Sequence, residues 1–191
     1  MSRLQPLLPE NMSEAQREMY DTVLSGKRGA GLTAPDGSLI GPFNAMIRNP
    51  LLGDRLQRVG ETLRFDSSLS RRVIEITTLV VGAHWRAQYA WWAHERLAKQ
   101  AGLSDAVIAS IKCGERPDLA DDREATAYDL ATELHRTQRL SDATYNRAVD
   151  HFGEAGVLEL LSLVGYYTAI SVILNGFNIP LDPGETPPFE D

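Results

Sequence analysis

Residues 71–83, RRVIEITTLVVGA, place apolar side chains around nearly the whole circumference of a helix. Such a helix cannot leave a face in water, so other elements must surround it. The chain supplies them. Leu52, Leu56, Val59 and Leu63 recur at helical spacing within 51–65. Ala87, Ala90, Trp91, His94, Leu97, Ala98 and Ala101 share one broad face of a helix predicted over 86–100. Capping and terminating residues stand where helices should begin and end: Ser13, Ser67 or Ser68, Gly102, Ser104, Gly114, Asp121 or Asp122, and Ser141. A last long helix is predicted over 153–174. No strand alternation, solenoid repeat or coiled-coil heptad is apparent. The expectation is an all-α bundle, a single domain over 1–191. It has an N-terminal helix and glycine-rich loop in 1–41, and an extended proline-rich tail in 175–191 available to pack on a neighbour.

Composition narrows the function classes. The 191 residues, 43% hydrophobic and 24% charged, suffice for one sizeable core. A net charge of −7 disfavours nonspecific binding to nucleic acid or an anionic membrane. The uncharged run 160–181 includes Gly165, Asn175 and Gly176 and looks helical only to Leu174. That is short of the ~20 strongly apolar residues of a membrane span, so a buried helix is expected. Cys113 is the single cysteine, which leaves no intrachain disulfide, no CxxC pair and no multi-cysteine zinc site. Together with an N-terminus that lacks an apolar signal region, this points to the cytoplasm. No P-loop, GxGxxG or GxSxG motif is present.

The chemistry-bearing candidates are Glu75 and His94. Glu75 sits among Ile74, Ile76, Thr78 and Leu79. A carboxylate there is costly to bury unless it is hydrogen-bonded, paired or protonated. It serves either as a proton-transfer group or as a structural partner of Arg71 or Arg72. His94 is the one titratable residue on a face of small and apolar residues, with room beside its imidazole for a ligand. The alternative is a core histidine bonded to a backbone carbonyl. His84 reads as a cap or a pocket rim, His135 and His151 as solvated, and Cys113 as a packing residue. No HExxH-like metal spacing occurs, and a Glu75/His84/His94 metal site stays open as an alternative.

Three segments carry a resemblance: GPFNAMIRNP, LSRRVIEITTLVVGAHWRAQYAWWAHERLAKQAGLS and VLELLSLVGYYTAISVILNGFNIPL. They resemble the carboxymuconolactone decarboxylase-like family of the AhpD-like superfamily over nearly the whole chain. The spacing from Glu75 to His94 agrees with the family pattern. The peroxidase branch carries CxxC shortly before the histidine, where this chain has Ala87 and Ala90. A thiolate is the nucleophile such chemistry needs, so thiol peroxidase activity is not expected. Nearer relatives often have Glu in a QYEWW-like string, where this chain has Ala90.

The resemblance implies an AhpD-like helical bundle and a cofactor-free lyase. Such an enzyme would decarboxylate or rearrange a small carboxylated lactone or ring-cleavage acid. In that reading His94 is the proton donor and Glu75 orients it. Phe43, Asn44, Tyr89 and Trp91 are pocket walls, and Arg48 and Arg64 anchor a substrate carboxylate. It also implies a homo-oligomer, trimer or hexamer, with Trp92 and the tail as contacts. The alternatives are a peroxidase-like or metal-assisted oxidoreductase on the same fold, and a non-catalytic small-molecule-binding protein.

Overall fold

The structure, a computed structural model, describes residues 2–28 and 31–190. After a 3-10 turn at Pro9–Asn11 come the helices α1 (Glu14–Ser25), α2 (Pro42–Met46), α3 (Pro50–Phe65) and α4 (Arg71–His84). They are followed by α5 (Gln88–Gln100), α6 (Asp105–Cys113), α7 (Asp122–Thr137) and α8 (Asp142–Phe177). The described residues contain no strand beyond an isolated Thr33–Leu39 bridge. The all-α expectation holds.

Local chemistry sets the boundaries. Ser13 and Gln16 form a reciprocal capping box at α1. Ser104, Asp121 and Ser141 cap α6, α7 and α8 through their side chains, and Gly114 ends α6 in the left-handed region. The cap of α4 is Ser70, not Ser67 or Ser68, and its hydroxyl accepts from Val73 N at 3.2 Å. Ser67 and Ser68 instead bond the Glu159 carboxylate of α8, which ties the α3–α4 turn to the far side of the bundle. Within α8, Gly153 has φ +67°, so the long helix is two segments joined at a kink, with the second opening where the sequence spacing puts it.

α4 is the central element, with every residue from Val73 to Gly82 buried. It packs against α5, α6, α7 and α8. One core cluster forms around it, with Trp91, Leu130, Leu160, Leu163 and Tyr167. A second gathers Met19, Val23, Phe43, Ile47, Ile170 and Leu174. The apolar run of α8 buries Leu160, Leu163, Val164, Tyr167, Ile170 and Leu174, although by length and apolarity alone it could also cross a membrane.

Two expectations change. The apolar positions of α3 form its buried face only in part: Leu63 is buried and Leu56 half-buried, but Leu52 and Val59 are exposed. Gly53, Gln57 and Gly60 also face inward, and at the two glycines the neighbours come too close for a side chain. The tail folds onto its own chain. Phe189 is buried edge-on against Trp91 at 5.3 Å, and the Gln88 amide donates to Phe189 O and accepts from Phe189 N, at 2.7 and 2.9 Å.

Candidate active site

Glu75 and His94 come together across the α4–α5 contact. Glu75 has no exposed surface, and its Oε2 lies 2.7 Å from His94 Nδ1. Its Oε1 is 3.0 Å from Arg71 Nε, one turn earlier on α4, close enough for charge pairing but not aligned as a hydrogen bond. Burial pushes the Glu75 pKa up, but His94, Arg71 and Arg64 outweigh it and hold the carboxyl below its ordinary range. Burial pulls His94 down, against the opposing effect of Glu75. The resting pair is therefore a carboxylate and a neutral imidazole. A carboxylate only accepts, so the ring proton sits on Nδ1. Nε2 is left with its lone pair and with no hydrogen-bond partner among the described residues. The ring stands edge-on to Tyr167, with centroids 4.8 Å apart.

His94 borders a cavity of about 130 Å³ where the two core clusters meet. Phe43, Ala90, Ala93, Leu97, Ile170 and Leu174 form its apolar lining. Arg28, Arg64, Tyr166 and Tyr167 supply the polar groups. Arg28 is nearly buried and bonds the Gln57 carbonyl at 3.0 Å, with Glu61 at 3.5 Å. Arg64 differs: its Nε is buried without a hydrogen-bond partner, and no carboxylate pairs with it among the described residues. Burial raises the pKa of both tyrosines, so they are phenols and can donate. The cavity offers a base, a cation without a counter-ion and phenol donors inside a mostly apolar wall.

No protein-family model matches the sequence, and no curated protein matches it. Solved structures do match in shape. An uncharacterized peroxidase-related protein from Silicibacter sp. TM1040 superposes with a TM-score of 0.75 at 14% identity, covering 95% of this chain and 92% of its own. A peroxidase-related protein from Ralstonia eutropha JMP134, described as an alkylhydroperoxidase AhpD core, gives 0.75 at 13% identity, covering 95% and 93%. The debrominase Bmp8, as a cysteine-to-alanine variant in complex with 2,3,4-tribromopyrrole, gives 0.69 at 11% identity, covering 96% and 95%. The chain has the AhpD-like fold.

Within this AhpD-like bundle, Ala87 and Ala90, which the family resemblance aligns with the redox cysteines of its peroxidase branch, are both buried. Ala90 lines the cavity with a methyl group. Cys113 is exposed at the end of α6 and borders a different pocket.

Of the residues expected at the site, the AhpD-like fold brings His94, Phe43, Arg64 and Tyr89 to one cavity, with Glu75 behind His94. It does not bring Asn44, Arg48 or Trp91 there. Trp91 follows Ala90 by about 100° of helix rotation, which turns it into the central core. There it is fully buried and donates to Glu95 at 2.9 Å. Asn44 turns away from Phe43 and accepts from Leu7 N at 3.2 Å, pinning the N-terminal arm. Arg48 reaches the Gln5 carbonyl at the surface. His84 does not join Glu75 and His94. It stacks on His135, which is part-buried rather than solvated.

Sequence reasoning missed Arg28, Tyr166 and Tyr167. Arg28 lies in the glycine-rich stretch, and a loop of that length is either mobile or functional, which singles out no residue. The adjacent tyrosines interrupted an otherwise apolar run.

Proposed function

We propose that this protein is a cofactor-independent proton-transfer enzyme, a lyase or isomerase acting on a ring-sized organic anion. The observation that carries the reading is the buried Glu75–His94 pair, whose histidine borders an apolar cavity also lined by Arg64, which has no ion pair among the described residues. A dry cavity near 150 Å³ takes a benzene-sized molecule, so about 130 Å³ suits one small ring.

The chemistry follows from the resting state. Nε2 accepts a proton from carbon adjacent to a carbonyl, or from a hydroxyl, and becomes an imidazolium beside the Glu75 carboxylate. The charge left on the substrate moves onto its carbonyl oxygen. Arg64 and the Tyr167 phenol can stabilise that oxygen, and they act strongly because the wall around them is apolar. Nε2–H then returns the proton, to a different carbon in an isomerisation. In a decarboxylation the carboxylate leaves as carbon dioxide, its bonding pair passes to the carbonyl oxygen, and Nε2, having taken a proton from solvent, delivers it to that carbon. His94 is thus a donor only after it has been an acceptor.

The test is a panel of small carboxylated lactones and ring-cleavage acids, assayed with the native chain, His94→Gln and Glu75→Gln. For a turned-over substrate, each variant should lower kcat by ~10²–10⁴-fold. Turnover unchanged in both variants would overturn the assignment. A reading as thiol peroxidase would require a thiol at the cavity, and Cys113 lies elsewhere. Cys113→Ser should therefore leave turnover intact.

A further inference from the structure

A second pocket, of about 480 Å³, lies between the C-terminal ends of α4 and α6 and the outer half of α7. It shares no lining residue with the His94 cavity. Its size is within the range of small-metabolite sites. Two of its lining side chains each carry a buried polar atom with no hydrogen-bond partner, Oγ1 of Thr132 and Nε2 of His135. Buried polar groups are normally satisfied, and each orphan here is a group that can donate.

The charge lining this pocket has one sign, although Thr132 and Arg136 also border a neighbouring pocket that Asp129 and Glu133 line. Arg86, Lys112 and Arg136 line the pocket and no Asp or Glu does, although the chain as a whole carries −7. Arg86 is partly committed, since it donates to Glu190 O and lies 5.5 Å from the Phe189 ring centroid. Lys112 reaches the same ring at 5.8 Å and forms no ion pair among the described residues. Arg136 forms none either. The His84 and His135 rings stack 4.2 Å apart at 18°, so protonating both puts two like charges in contact unless an anion is present. The C-termini of α4, α6 and α7 bring about half a negative charge each, and carbonyls of their last turns are already bonded by Trp85, Arg86, Gly114, Glu115 and Gln138. Three full cations outweigh them.

We propose that this pocket binds the oxyanion group of a small metabolite, a phosphate or a carboxylate. Thr132 Oγ1 and His135 Nε2 donate to it, and Arg136 and Lys112 supply the counter-charge. A divalent cation, which the imidazoles and the Cys113 thiol could also ligate, is disfavoured by the same three cations.

The experiment titrates inorganic phosphate into the full chain at constant ionic strength and follows the histidine ring resonances by NMR. The expected result is a saturable shift of His84 and His135 with His94 unmoved. The apparent Kd should weaken at least ~10-fold, the cost of losing one charge-assisted hydrogen bond, in Arg136→Gln and in Thr132→Val. Arg136 is exposed, so its substitution tests the site without disturbing the core. The proposal is overturned if chloride reproduces the shifts, if they rise linearly without saturation, or if Arg136→Gln leaves them unchanged. Saturable shifts with Zn²⁺ and none with phosphate would make the pocket a metal site instead.

Discussion

At the scale of single residues, the site rests on a carboxylate placed where water cannot reach it. Glu75→Gln keeps the shape of the side chain and can still accept from His94 Nδ1–H, so the fold should survive with a loss of about 1–3 kcal/mol in chemical denaturation. What the amide cannot do is stabilise an imidazolium, so activity should fall far more than stability. A matched loss of both would mean that Glu75 is structural only. The pH dependence has a definite sign. His94 and His135 are both held below 6.5 by burial, His135 to about 4 with His84 contributing, and Glu75 is held below its ordinary value by His94 and the arginines against the upward push of burial. In each case the unfolded chain binds more protons than the folded one as pH falls. The stability that His94 and His135 give is present above pH 6.5 and is lost as pH drops from 6.5 towards 4, while that of Glu75 is lost only below 4.5, and equilibrium unfolding across both ranges will read this out. If His94 acts first as a base, kcat/KM is flat near neutrality and falls in acid. A rate that rises on acidification would make the protonated ring the working form. Both residues stood out in the sequence as a carboxylate and a histidine on apolar faces, but each also had a structural reading, and their pairing came from the family resemblance. The misplacement of Trp91 and Asn44 was not avoidable from spacing alone. Adjacent positions on a helix diverge by about 100°, and which side meets a cavity depends on the neighbours.

At the scale of elements, α3 shows where apolar periodicity misleads. Its inward face includes Gly53 and Gly60, which a pattern search reads as helix breakers, while Leu52 and Val59 point to solvent. A Cβ at Gly53 would overlap the Met46 carbonyl, which belongs to backbone and cannot move cheaply. A Cβ at Gly60 would overlap the Tyr166 hydroxyl and lie 2.8 Å from Arg28 Nη2. The two substitutions should therefore separate. Gly53→Ala costs about 1–3 kcal/mol or more in unfolding experiments, as over-packing generally does. Gly60→Ala displaces two cavity residues and shows up chiefly as a raised KM. Equal effects on stability and KM from both would disprove that division. The remaining helices were readable because capping is local. Where the sequence offered a choice of serines before α4, a long-range partner decided it: Glu159 engages Ser67 and Ser68 and leaves Ser70 to cap the helix.

At the scale of the whole molecule, the layered arrangement around α4 was legible because a helix without a polar face has only one place to go. Arg28 was not, since it meets Gln57 and the cavity only after the chain has doubled back through α3. Outside the bundle, Leu158 and Val172 of α8 and Leu51 and Leu52 of α3 are exposed. The proposed homo-oligomer would bury such faces. Sedimentation equilibrium should give a multiple of 21.1 kDa, and Leu158→Lys with Val172→Lys should lower it. A monomeric native chain would remove the proposal.

The Gln88–Phe189 clamp bears on the order of assembly. α5 begins without a side-chain cap at Ala87, and the amide of its first residue is bonded to backbone 101 positions further along the chain. During vectorial synthesis, the start of the helix that carries His94 must wait for that distant stretch to emerge. Contacts this remote in sequence close late. Refolding should therefore regain helix signal before it regains turnover, and Phe189→Ala should widen the interval between the two.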